Sequence, residues 1–149
     1  MGGGRLLIVD DDEYILRNLE KILRLEGYET DTARTGLEAI KKTKRNFYNL
    51  VLLDIKLPDM EGTELLKKIH ETFPRMIKIM VTGYPDLENA IRSLNFGADA
   101  YLVKPVSVQE LLDVVKRKLD EQRSMEKMTE EKVKKWIETR IQKLRHGVL

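Results

Sequence analysis

Residues 50–62 read LVLLDIKLPDMEG, four apolar residues running into Asp54 and then a turn-like Leu57-Pro58-Asp59. A short, almost uninterrupted Val/Leu run marks a strand buried on both faces, as in a parallel sheet enclosed between helices. A carboxylate ending so apolar a strand is carried to the sheet edge. The same pattern recurs on either side. Arg5-Leu6-Leu7-Ile8-Val9 is another apolar run, and it ends in Asp10-Asp11-Asp12. Ile15, Leu16, Leu19, Ile22 and Leu23 follow at helical spacing and are closed by Gly27. Glu29 to Ala33 alternates as a strand, and Thr35-Gly36 opens a second helix through Leu37 and Ile40. After the central strand come a helix over 62–73, a strand over Met76–Val81 and a helix opened by Pro85-Asp86 that ends near Gly97. A fifth strand, Ala100–Val103, precedes a fifth helix over 107–122. Five strand-helix alternations predict an α/β doubly wound sandwich, a five-stranded parallel sheet with helices on both faces.

Composition narrows the classes further. The chain has 149 residues, 42% of them hydrophobic, enough for one domain and a small appendage. Its longest apolar runs are only a few residues, so no membrane span and no membrane partner is expected. Met1 to Gly4 lack the features of a signal peptide and read as an N-terminal tail or tag. Leu6 stands where a myristoylation signal wants Ser or Thr. The chain has no cysteine, which excludes disulfides and thiolate metal sites and fits a cytoplasmic protein. Residues 1–123 hold 20 basic and 21 acidic residues, whereas 124–149 hold 7 and 4. The main body is therefore no general polyanion binder.

In open α/β sheets ligands bind beyond the carboxyl ends of the strands. That rule gathers Asp10 and Asp11 after the first strand, Asp54 at the third, Thr82 after the fourth and Lys104 after the fifth. Clustered carboxylates repel one another and are tolerated mainly beside a cation. Oxygen-only ligands at an open edge suit Mg²⁺. Asp54 then becomes a nucleophile able to form an acyl phosphate, with Thr82 and Lys104 holding the transferred oxygens. Asp12 reads as a helix N-cap rather than a ligand. His70 and His146 lie on helical patterns, read as solvent-facing, and have no partner at metal-ligand spacing.

The blocks LLIVDDDEYILR, LVLLDIKLPDMEGTELL, IKIMVTGYPDLENA and GADAYLVKP together resemble the motifs of response-regulator receiver domains, over about residues 5–122. The resemblance implies a flavodoxin-like sheet of order 2-1-3-4-5 and a two-component signalling role. It implies that Asp54 accepts a phosphoryl group from the phosphohistidine of a sensor histidine kinase. Mg²⁺ would be held by Asp11, Asp54 and the backbone carbonyl of Lys56, with Asp10 reaching it through water. Thr82 and Lys104 would contact the phosphoryl oxygens, Tyr101 would be the aromatic switch, and Lys104-Pro105 would be a cis peptide. Lys56 and Tyr84 flank the place where a hydrolytic water must enter, so they bear on the lifetime of the phosphorylated state.

Other classes fit less well. A haloacid-dehalogenase-type phosphatase needs a second Asp two residues after the nucleophile, and Lys56 stands there. The expectation is thus a switch and not a metabolic enzyme. The 27 residues after 122 are too few for a helix-turn-helix domain with a linker, so nucleic-acid binding by this chain is not expected. A receiver excised from a larger protein, such as a hybrid kinase or a transcription activator, is not excluded by the sequence. Residues 123–149 form an amphipathic helical extension, with Val133, Trp136, Ile137, Ile141, Leu144 and Val148 on one arc about 140° wide. Gln122, Glu126 and Thr129 interrupt that face upstream, which predicts a break near Ser124–Thr129 and a new helix over about 129–146. Its apolar face is expected to bury against protein, either its own receiver or a partner. A homodimer would form through this extension or through the fourth and fifth helices.

Overall fold

The computed structural model describes residues 3–147. Met1 and Gly2 of the expected tail, and Val148 of the expected apolar arc, lie outside the described residues. Ten elements follow in order: β1 (Arg5–Val9), α1 (Glu13–Leu25), β2 (Glu29–Ala33), α2 (Gly36–Arg45), β3 (Leu50–Leu53), α3 (Gly62–Thr72), β4 (Ile77–Thr82), α4 (Leu87–Asn95), β5 (Ala100–Val103) and α5 (Val108–Arg145). The five strands are all parallel and ordered β2-β1-β3-β4-β5, as expected.

Successive strand residues face opposite sides of the sheet, and both sides here are apolar. Leu6, Ile8, Leu50, Leu52, Ile79 and Val81 pack with Leu16 and Leu23 of α1 and Leu111, Val115 and Leu119 of α5. Leu7, Val9, Val51, Leu53 and Met80 pack with Ala39 of α2 and Leu65, Leu66 and Ile69 of α3. All four β3 residues are buried, and each such side chain contributes about 1.5–3 kcal/mol against being exposed. That burial fixes β3 rigidly and makes Asp54 a well-placed group.

Helix starts follow local chemistry. Asp12 accepts from the Tyr14 and Ile15 N–H groups, so it is the N-cap expected. Thr35 and Asp86 cap α2 and α4 in the same way. Asp59 acts over a longer range: its two carboxylate oxygens accept from the Gly36 and Leu37 N–H groups at 2.8 and 2.9 Å, tying the loop after β3 to the start of α2. Gly27 closes α1 at φ 94°, a backbone region other residues seldom adopt.

Two expectations need correction. The break near Ser124–Thr129 is absent, and α5 is continuous from Val108 to Arg145. The Thr129 hydroxyl donates to the Met125 carbonyl one turn back, a bond that lets Thr sit inside a helix. His70 does not simply face solvent. Its Nδ1 lies 2.7 Å from the Nζ of Lys78, a β4 lysine only 1% exposed that also donates to the Pro74 carbonyl at 3.0 Å. Burial drives the Lys78 ammonium below its ordinary value, against the attraction of Asp99.

The chain divides into two compact units, Met1–Leu119 and Asp120–Leu149. In the second, every described residue from Arg123 onward is exposed. Val133, Trp136, Ile137, Ile141 and Leu144 are among its exposed side chains. Among the described residues, no helix is long and apolar enough to cross a membrane.

Candidate functional site

Asp10, Asp54, Thr82 and Lys104 all sit at the carboxyl ends of parallel strands, and the register brings those ends together: Val9 pairs with Leu53, and Thr82 with Val103. Asp10 is 3% exposed and Asp54 6%, while Thr82 is fully buried. The two carboxylates share one cation. Lys104 Nζ lies 2.6 Å from Asp10 Oδ2 and 3.1 Å from Asp54 Oδ2. The Lys104 N–H also donates to the Thr82 carbonyl at 2.8 Å, so the lysine is anchored at both ends.

The electrostatics follow from burial set against pairing. Burial pushes the Asp10 carboxyl above its ordinary value, with a smaller push from the Asp54 charge; the Lys104 ammonium and the Asp12 N–H pull it back without cancelling the rise. For Lys104 burial acts downward, yet the hydrogen bond and charge of Asp10, followed by Asp54, hold its ammonium above the usual value.

Asp11 completes an acidic group. Asp10, Asp11 and Asp54 each place a carboxylate oxygen within 4.8 Å of the others, and Asp11 is exposed. Three oxygen donors around an edge open to solvent fit a hard divalent cation that keeps part of its water shell. Two of the three carboxylates are already turned inward, so the residues present fit Mg²⁺. Lys56 lies beside them, its N–H directed at Asp54 Oδ1 at 3.5 Å.

The remaining expected residues are also placed. The Thr82 hydroxyl accepts from the Tyr84 N–H at 3.0 Å, which fixes the turn beyond β4. The Lys104-Pro105 peptide is cis. Tyr101 packs its ring against the Met80 side of the core, and its buried hydroxyl finds no hydrogen-bond partner among the described residues. Burial and then the nearby Asp86 charge raise its phenol above the ordinary value.

Sequence reasoning missed two features. Lys56 Nζ stands 4.1 Å from the Tyr84 ring centroid, so the two flanking residues touch across the mouth of the site. Gly62 comes so close to the Asp54 backbone that a Cβ there would lie 1.8 Å from the Asp54 carbonyl oxygen. The first contact joins residues 28 positions apart, which spacing alone does not reveal; for the second, the glycine in the quoted stretch was a signal that could have raised it.

Comparison with known proteins agrees with this geometry. The family model described as response regulator receiver domain matches residues 6–116. The response regulator ArlR of Staphylococcus aureus is 36% identical over 108 residues, which are 72% of this chain and 49% of that protein. The chain thus spans about half the length of the curated relatives it matches. A CheY-like receiver domain protein from Methanospirillum hungatei JF-1 is 56% identical, with a TM-score of 0.81 over 83% of this chain and 99% of that one. A receiver domain protein from Clostridium thermocellum is 32% identical, with a TM-score of 0.76 over 81% and 98% of the two chains.

Proposed function

The chain belongs to the response-regulator receiver family, and on that premise we propose that it is the phosphoacceptor of a two-component system, with Asp54 as the acceptor. The observation that carries this reading is the Lys104 ammonium held between Asp10 and Asp54 at the ends of three different strands. An Asp54 carboxylate oxygen attacks the phosphorus of a phosphohistidine on the partner kinase. A P–O bond forms, the P–N bond breaks, and the imidazole leaves with its electron pair and takes up a proton.

Lys104 pairs with the new phosphoryl oxygens, which lie within reach of an ammonium already bonded to Asp54. Thr82, freed from its bond to the Tyr84 N–H, turns its hydroxyl to the same group. That movement opens space next to Tyr101, whose unpartnered hydroxyl gives the ring little to hold it in one rotamer. The surface around β4, β5, α4 and α5 changes accordingly and meets a partner or a second copy. Asp10, Asp11, Asp54 and the Lys56 carbonyl would hold Mg²⁺, which when bound offsets the charge developing on the transferred group. Turnover is confined to the chain's own aspartyl phosphate, so the protein acts as a switch and not as a metabolic enzyme. A cytoplasmic setting fits a kinase partner of this kind.

The test is direct. The protein is incubated with Mg²⁺ and a small-molecule phosphodonor, and intact mass should rise by one phosphoryl group that is acid-stable and base-labile. Asp54→Asn should take up none. Undiminished labelling of that variant would overturn the assignment.

A further inference from the structure

The exposed end of α5 has features that phosphoryl transfer does not use. Val133, Trp136, Ile137, Ile141 and Leu144 are between 42% and 62% exposed and share one arc of the helix. Between Lys132 and Gly147 the chain has six basic side chains and a single acid, Glu138. Immediately upstream the balance reverses: residues 120–131 hold five acids against Arg123 and Lys127. Apolar face and positive charge are thus confined to the same few turns.

The positions of the charges matter more than their number. At about 100° per residue, Lys132 and Lys143 fall within about 40° of the Trp136 edge of the apolar arc. Lys134 and Arg145 fall equally close to the Ile141 edge, with Glu138 about 20° beyond Arg145. Arg140 lies inside the arc with its guanidinium 5.3 Å from the Trp136 ring centroid, its stem free to reach outward from an apolar surface. Both borders of the face therefore carry net positive charge, the Trp136 border without an acid and the Ile141 border with Glu138 alone.

We propose that residues 132–145 lie in the headgroup layer of an anionic lipid bilayer, apolar arc down and border lysines and arginines among the lipid phosphates. A basic amphipathic helix with a tryptophan at the edge of its apolar face is built for that plane. A second copy of the chain is a poorer occupant. Pairing the arc with itself sets the Lys132/Lys143 border against Lys134/Arg145 when the helices are parallel, and each border against its own kind when antiparallel. Net positive charge meets net positive charge in either arrangement, with Glu138 as the one acid to relieve it, whereas an anionic surface neutralises both borders at once. The inference is independent of the chemistry at Asp54.

The full chain is mixed with vesicles of phosphatidylcholine alone, or of phosphatidylcholine and phosphatidylglycerol in equal parts. Trp136 is the only tryptophan, so its emission reports on this face alone. Emission should shift to the blue, and the chain should co-sediment, with the anionic vesicles only. Lys132→Glu/Lys143→Glu should weaken that association about tenfold or more, as should high salt. Lys135→Glu, on the polar side, should weaken it far less. These surface changes leave the helix intact, which circular dichroism checks. Equal behaviour with both vesicle types, or undiminished binding by the border variant, would overturn the proposal. So would a blue shift that grows with protein concentration without lipid, since it would give the face to a second copy.

Discussion

Replacing Gly62 by Ala should destabilise the protein, although helix propensity alone argues the opposite. Ala in a first helical turn ordinarily stabilises by about 0.4–1 kcal/mol through the unfolded chain. Here the added Cβ would lie 1.8 Å from the Asp54 carbonyl oxygen and 2.7 Å from the Ile55 Cα. Comfortable contact needs about 3.5 Å, so α3 or the Asp54–Ile55 backbone must move by more than ~1 Å. The Gly62 N–H also donates to the Ile55 carbonyl, and that bond would be stretched by the same movement. Overpacking costs about 1–3 kcal/mol, and collision with backbone belongs at the upper end. After the propensity gain the net loss is about 2–3 kcal/mol, which for a chain of this size lowers Tm by about 4–12 °C. Gly83→Ala is the control, because its Cβ would meet only the Lys104 side chain, at 3.8 and 4.0 Å. Thermal melting by circular dichroism compares the three proteins. If Gly62→Ala melts within about 2 °C of wild type, the tight approach is not a constraint on the fold.

Mg²⁺ at ten times its Kd should stabilise wild type by about 1.4 kcal/mol, raising Tm by about 3–6 °C, and Asp11→Ala should lose most of the rise. An unchanged Tm in wild type at millimolar metal would count against the acidic group as a metal site. Tyr84→Ala removes the ring stacked under Lys56 and should shorten the aspartyl phosphate lifetime several-fold; an equal or longer lifetime would refute the shielding role. Lys78 has its folded-state value depressed below 10.5 by burial. Between that value and 10.5 the unfolded chain binds more protons, so stability from this group rises with pH and is lost as pH falls through the folded value. In denaturant titrations through alkaline pH up to 10.5, Lys78→Met should remove that component of the slope, and curves parallel to wild type would contradict it.

The sheet was legible because its strands are short runs whose residues are buried on both faces, a pattern that LVLL and RLLIV display without help from the rest of the chain. The site was legible for the same reason, since strand ends in a parallel sheet converge by topology and the polar residues there need no further explanation. α5 was misjudged because periodicity was asked to report continuity. Gln122, Glu126 and Thr129 break the apolar face, yet Gln and Glu are good helix formers and Thr129 bonds to the turn before it, so the backbone runs on. His70 was misjudged because its partner is Lys78, a residue hidden in the alternation of β4 and distant from any helix pattern. A lysine in a strand buried on both sides has to find acceptors inside, and that inference was available from IKIM alone.

The bridge from Lys104 to Asp10 and Asp54 has a consequence for when electrostatic work is done. Two carboxylates buried side by side are costly to assemble, and in this protein the lysine's charge offsets the cost during folding. If Asp54 takes up the phosphoryl group as proposed, transfer begins in a pocket whose charges are already in place, so little reorganisation remains to slow the step. The ammonium is also an internal counter-ion that any arriving cation must accommodate. An ammonium already seated between the carboxylates opposes a divalent cation there, so on the proposed reading Mg²⁺ binds more weakly than the three carboxylates alone would hold it.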